Sequence, residues 1–109
     1  MPAGNYNLYI EKGADFSRSF AMSRDSLPVD LTGYSGLAAM SSAYNATPVS
    51  FTVEISETPE DGVFSISLSA EDSLAVSYVS GVWDLLLIDP DGLKQRLLSG
   101  TVQLSPNVA

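Results

Sequence analysis

The chain has 109 residues, a length typical of one domain, and its 13 carboxylates and five basic residues give a formal net charge of −8 at pH 7. It contains neither cysteine nor histidine, which excludes disulfides, thiol nucleophiles, Cys- or His-based zinc sites and the commonest general base. Such an acidic surface also disfavours nucleic acid and anionic membranes, which are bound through clustered Lys and Arg. We therefore expect a single domain over residues 1–109 that binds no nucleic acid and no membrane.

Period-two alternation of apolar residues predicts strands along most of the chain. The first two are predicted where apolar residues recur on one face, at Tyr6, Leu8 and Ile10 and then at Phe16, Phe20 and Met22. A polar loop is expected over 23–30, and a strand entry follows at 31–34, with Leu31 packed inward and a bend at Gly33. A strand of small residues is expected over 35–40 and a loop over 41–48.

The second half of the chain gives clearer signals. Strict alternation over 50–56 and over 64–69, separated by a Pro- and Gly-containing turn at 57–62, predicts a β-hairpin. Residues 69–74 predict one short helical turn with Ser69 as its N-cap. The apolar run at 81–88 indicates a central strand buried on both faces, and a turn at 89–92 leads to a last strand over 93–104. In that strand Gly100 is predicted to mark a bulge or a close approach of another segment.

These elements predict an all-β fold, an antiparallel immunoglobulin-like β-sandwich of about seven strands with one short helical turn. The spacing of the strands, at roughly 8–15 residues, is typical of such sandwiches. A small open barrel is the structural alternative. The polar start at residues 1–4 has neither the basic nor the apolar region of a secretory signal, so none is expected.

The residues offer few candidates for chemistry. The acidic turns around Glu60 and Asp89 contain the hard oxygens that Ca²⁺ prefers, but Asp and Gly are also the ordinary residues of hairpin turns. Asp84 lies in an apolar strand where its pKa could rise, yet no second carboxylate is placed opposite it. Pairing with Arg96 or Arg18, or a hydrogen bond to an amide at a strand edge, is the simpler expectation. We therefore expect no catalytic residue, no cofactor, no metal ligand and no enzymatic activity.

Tyrosines are the remaining candidates for function, because aromatic residues are enriched at protein interfaces. The five tyrosines of the chain form the candidate interface set: Tyr6, Tyr9, Tyr34, Tyr44 and Tyr78. A surface on which sugars stack is the alternative interpretation of the same residues.

Several short motifs occur in an order that resembles a known group of proteins. They are YxxxGxxF at 9–16, DLTGY at 30–34, DGxFxIxLS at 61–69, GxWDL at 81–85, DG at 91–92 and LLxGxVxLxP at 97–106. This order is similar to that of the small β-sandwich modules of tailed-bacteriophage virions, such as the N-terminal domains of baseplate upper proteins and related tail proteins. The resemblance spans nearly the whole chain.

The resemblance implies a non-enzymatic virion structural protein, a tail or baseplate adaptor or assembly module that acts through protein–protein contacts. Its partners would be other virion proteins, it would form a homo-oligomer or symmetric array, and it would be located in the virion after assembly in the host cytoplasm. A head-decorating cement protein of the capsid is the near alternative. A carbohydrate-binding or calcium-dependent binding module is the alternative from a different functional class.

Overall fold

The computed structural model describes residues 4–43, 46 and 48–106, and more than half of them lie in β-strands. Among these residues the strands are β1 (Gly4–Asn5), β2 (Leu8–Glu11), β3 (Phe16–Ala21), β4 (Ser23–Arg24), β5 (Leu27–Pro28), β6 (Ser35–Ser41), β7 (Val49–Ile55), β8 (Val63–Leu68), β9 (Ser80–Ile88) and β10 (Lys94–Ser105). A 3₁₀ turn (Pro59–Asp61) and one helical turn, α1 (Ala70–Leu74), complete the fold. None of the helical segments in these ranges is long and apolar enough to cross a membrane.

Eight of these strands form one curled sheet in the order β1, β10, β9, β6, β7, β8, β3, with β2 following β1 along the same side of β10. The curl occurs at β7, whose first residues pair with β6 while Thr52–Ile55 pair with β8. It brings the far strand β3 over the middle of the sheet, where the Phe20 ring stacks on the Trp83 ring of β9 at 6.4 Å between centroids. The short strands β4 and β5 form a separate hairpin.

The sheet is mixed, which corrects the prediction of a wholly antiparallel arrangement. Both β1 and β2 run parallel to β10, with Gly4 opposite Leu98 and Leu8 opposite Val102. The strands at the two ends of the described chain are therefore neighbours that run in the same direction. A hairpin cannot connect two parallel strands. The other pairings in the curled sheet are antiparallel, including the predicted hairpin of β7 and β8.

The core lies inside the curl and is built from alternating residues of the long strands. Its most deeply buried side chains are Phe64, Leu8, Ile10, Leu31, Met40, Ile66, Leu85 and Val102. In β9 the residues Trp83, Leu85 and Leu87 are buried, whereas their neighbours on the other face are only half-buried. The prediction that this strand is buried on both faces was therefore wrong, because none of the described elements forms a second layer over its outer side.

The local predictions around turns and caps are confirmed. Ser69 caps α1, its hydroxyl accepting a hydrogen bond from the Asp72 amide at 3.1 Å. Leu31 is fully buried and Gly33 bends the chain with φ of +79°. The loop predicted over 23–30 instead contains the hairpin of β4 and β5, whose two-residue strands are too short to show a period.

Candidate functional site

A groove of about 500 Å³ lies between β3 and β10. Its walls are mainly apolar and consist of Phe20, Ala21, Met22, Ser23, Val29, Phe64, Leu97 and Leu98. Apart from the Ser23 hydroxyl, these side chains carry no group that could act as an acid, a base or a nucleophile. They can receive an apolar side chain or an apolar segment.

A β-bulge in β10 shapes this groove. The register between β9 and β10 shifts between Arg96 and Leu98, so one extra residue is accommodated in β10. A bulge breaks the strict alternation of faces, and both Leu97 and Leu98 line the groove as half-buried residues. Sequence reasoning missed this feature, although two successive leucines in an alternating strand were its signal.

Tyr6 lies next to the groove and connects β1 with the core. Its ring meets the Phe20 ring edge-on at 5.1 Å between centroids, and its carbonyl oxygen accepts a hydrogen bond from the Trp83 indole N–H at 2.7 Å. Gly100 permits this close approach, because a Cβ at that position would lie 2.1 Å from the same carbonyl oxygen. The predicted close approach at Gly100 is confirmed, while the bulge lies between Arg96 and Leu98.

The predicted interface tyrosines are not gathered into one surface. Tyr6 is 38% exposed, and Tyr9 is 64% exposed on the outer side of β2. Tyr34 is half-buried beside Met22 and Leu87 near the start of β6, whereas Tyr78 is half-buried near the opposite end, before β9. Tyr44 lies outside the described residues. Of the four described tyrosines, Tyr6 and Tyr9 are exposed along one edge of the sheet, whereas the other two are half-buried.

The Tyr78 hydroxyl is buried and has no hydrogen-bond partner among the residues that the structure describes, and this desolvation raises the pKa of the phenol above its usual value of 10.0. Replacing Tyr78 with Phe removes an unpaired polar atom, so we expect the free energy of unfolding near pH 7 to rise by up to about 1 kcal/mol. Urea denaturation should show this as a higher midpoint. A lower midpoint for Tyr78→Phe would mean that the hydroxyl makes a stabilising contact.

The same substitution changes the dependence of stability on pH. Because burial favours the neutral phenol in the folded state, the free energy of unfolding of the wild type is highest below the usual pKa of the phenol and falls as pH rises through the raised folded pKa. The wild type should therefore lose more stability than Tyr78→Phe between about pH 7 and about pH 11. The other tyrosines are common to both proteins and cancel in this comparison.

The carboxylates of the turns at Asp30 and Asp89 accept hydrogen bonds from backbone amides. Asp89 Oδ1 accepts hydrogen bonds from the amides of Asp91 at 3.0 Å and of Leu93 at 2.9 Å. Asp30 Oδ1 accepts from the Thr32 hydroxyl and amide, and these bonds lower the pKa of the Asp30 carboxyl. Within the ranges that the structure describes, no group of three or more carboxylates is arranged to hold a metal ion.

Asp84 pairs with Arg96, as expected from the sequence. The Arg96 Nε lies 3.6 Å from Asp84 Oδ2 across β9 and β10, and the two side chains are 62% and 35% exposed. A pair in this environment is screened by water and contributes at most about 1 kcal/mol to stability. The arrangement therefore gives Asp84 a structural role on the outer face of the sheet.

Comparison of the chain with models of known protein families and with curated proteins found no match. What the chain does has to be inferred from its own residues.

Proposed function

We propose that this chain is a non-enzymatic structural protein of a bacteriophage virion, a tail or baseplate adaptor whose curled sheet serves as an immunoglobulin-like sandwich module. The order of motifs in the sequence supports the virion role. The observation that carries an assembly role is the distribution of exposed groups. In the described part of the chain the sheet ends in unpaired strand edges, and large side chains such as Tyr6, Tyr9, Leu37 and Leu93 are exposed.

These features favour contact with other proteins over small-molecule chemistry. Unpaired strand edges and exposed aromatic or leucine side chains are surfaces that a symmetric assembly buries. The apolar groove between β3 and β10 can accept a side chain of a neighbouring virion protein. A capsid cement protein would use the same features, so that alternative differs in the place of assembly and not in the mode of contact.

The sugar-binding alternative is less well supported by the geometry. A carbohydrate platform needs aromatic rings in a planar row, but Tyr34 and Tyr78 are half-buried near different ends of the sheet. The calcium-dependent alternative would need converging carboxylates, whereas the oxygens of Asp30 and Asp89 are engaged by backbone amides.

Light scattering at low and high protein concentration, followed by electron microscopy of the same sample, tests the proposal. We expect a discrete trimer or hexamer with ring-shaped particles, because virion tail components assemble with closed symmetry. Thermal melts with calcium or with a chelator should coincide. A protein that is monomeric at both concentrations and is stabilised by calcium or a glycan would contradict a self-assembling structural role.

A further inference from the structure

The strand β3 is a regular edge strand, and none of the described strands pairs with its second side. Its six residues pair with β8 in consecutive register, from Phe16 opposite Leu68 to Ala21 opposite Val63, without a bulge. It is the terminal strand of the curled sheet in the described part of the chain, and Ser17, Arg18 and Ser19 are exposed. Proteins usually protect such an edge with proline, a bulge or inward-pointing charge, and Arg18 is the only such residue in β3.

The opposite end of the sheet is a poorer edge. There the chain forms two short strands, β1 and β2, which are interrupted at Tyr6 and Asn7. At this break the Asn7 side-chain oxygen accepts a hydrogen bond from the Thr101 amide at 3.2 Å, so the chain turns its polar groups toward β10. A partner strand would find continuous backbone groups along β3 and an interrupted series along β1 and β2.

We propose that two copies of this chain join along β3 as an antiparallel strand pair, on a two-fold axis at Ser19. This pairing would make the two curled sheets continuous and would form about six backbone hydrogen bonds between the copies. The inference goes beyond the proposed function, because it identifies the contact and the partner and does not depend on a virion role.

The side chains of β3 select this register. Directly opposite residues in an antiparallel pair have their side chains on the same face of the sheet. A two-fold axis perpendicular to the sheet must therefore pass through a residue that lies opposite the same residue of the second copy. With the axis at Ser19, two small hydroxyls face each other and Arg18 lies opposite the second copy's Phe20. With the axis at Arg18, two guanidinium groups would face each other and repel.

Arg18 is already suited to an aromatic partner. Its guanidinium carbon lies 5.7 Å from the centroid of the Phe16 ring on its own strand, and its side chain is exposed. Across the proposed joint it would lie beside the second copy's Phe20, which is half-buried at the rim of the groove. Cations interact favourably with such ring faces, so the pairing would use Arg18 on both sides of the axis.

The charge and size of the neighbouring residues also suit a second copy. None of the 13 carboxylates lies within β3, so no two carboxylates would face each other between these strands of a chain with net charge −8. On the outer face only small side chains flank it: Ser17 is opposite Ser67 and Ser19 opposite Ser65.

Two substitutions at Ser19 test the pairing by light scattering and cross-linking. Ser19→Lys would place two ammonium groups on the axis, and the exposed position leaves the fold unaffected, so the mass per particle should halve while the melting temperature is unchanged. Ser19→Cys introduces the only thiol of the chain, and mild oxidation should link two copies covalently, because directly opposite strand residues are within disulfide range.

Ser17→Cys is the matched control, since Ser17 is equally exposed and on the same face but would lie opposite the second copy's Ala21. We expect Ser19→Cys to form covalent dimers at least about tenfold faster than Ser17→Cys at equal concentration, because only the former aligns two thiols. Equal rates for the two variants would overturn the register. A wild-type mass that Ser19→Lys leaves unchanged, or a wild type that is monomeric up to about 1 mM, would overturn the joint itself.

These outcomes are distinct from those for the proposed function. A trimer or hexamer that is insensitive to Ser19→Lys would support a ring component and reject the β3 joint. A dimer that Ser19→Lys dissociates would support the joint and reject the ring. A hexamer that Ser19→Lys converts to trimers would support both.

Discussion

Replacing Gly100 with Ala is expected to lower the free energy of unfolding by about 3 kcal/mol. The added Cβ would lie 2.1 Å from the Tyr6 carbonyl oxygen, so the segment that carries Tyr6 must move away. That movement breaks the hydrogen bond from the Trp83 indole and loosens the strand that buries Leu8 and Ile10. Urea denaturation followed by the fluorescence of Trp83, the single tryptophan, measures the loss directly.

Gly4→Ala is the matched control for this prediction. Its added Cβ would be 3.2 Å from a methyl carbon of Leu98, a side chain that can rotate away, and no backbone atom lies closer. We expect a change within about 1 kcal/mol, as is usual at exposed positions. If Gly100→Ala unfolded at the same urea concentration as Gly4→Ala, the segment at Tyr6 would not pack against β10 as described.

The second large effect is expected for Phe64→Ala, which should cost about 3–5 kcal/mol. The Phe64 side chain is 1% exposed, and its ring stacks on Phe20 at 5.5 Å between centroids. Truncation would leave a cavity where β3 and β8 meet, below the groove between β3 and β10. For a domain with a stability of about 5–15 kcal/mol, this is a large fraction of the total.

A lower urea midpoint with an unchanged slope would identify the effect as loss of stability and not as a change in the unfolded state. Leu37→Ala serves as the control, because this strand residue is 53% exposed and its truncation creates no cavity. We expect its midpoint to stay close to that of the wild type. Equal losses for Phe64→Ala and Leu37→Ala would show that Phe64 is not part of a packed core.

Much of the fold could be predicted because alternation records which residues face the core. The strand positions of β7 and β8 followed from residues such as Phe51, Val53 and Ile66, and the cap at Ser69 followed from local chemistry. Alternation does not record which strands are neighbours. The parallel pairing of β2 with β10 was therefore missed, since it depends on how the whole sheet curls.

The groove between β3 and β10 could not be predicted for a related reason. It exists because the bulge before Leu98 lets two successive leucines line the same groove. The curl of the sheet then brings Phe20, from a distant part of the chain, to the other wall of this groove. The tyrosines were chosen by residue type alone, and residue type does not distinguish the exposed Tyr9 from the half-buried Tyr34. The free edge of β3 likewise depends on sheet order, which strand periodicity does not contain.

The parallel pairing of β2 with β10 also limits how early this part of the sheet can fold during synthesis on the ribosome. Asn7 and Thr101, which are 94 positions apart, must both have emerged before they can form their hydrogen bond. At a synthesis rate of about 5–20 residues per second, β2 is synthesised about 5–20 s before the strand β10 that pairs with it. The segment with Leu8 and Ile10 therefore lacks its neighbouring strand while the residues between β2 and β10 are synthesised, and this part of the sheet forms only after β10 has emerged.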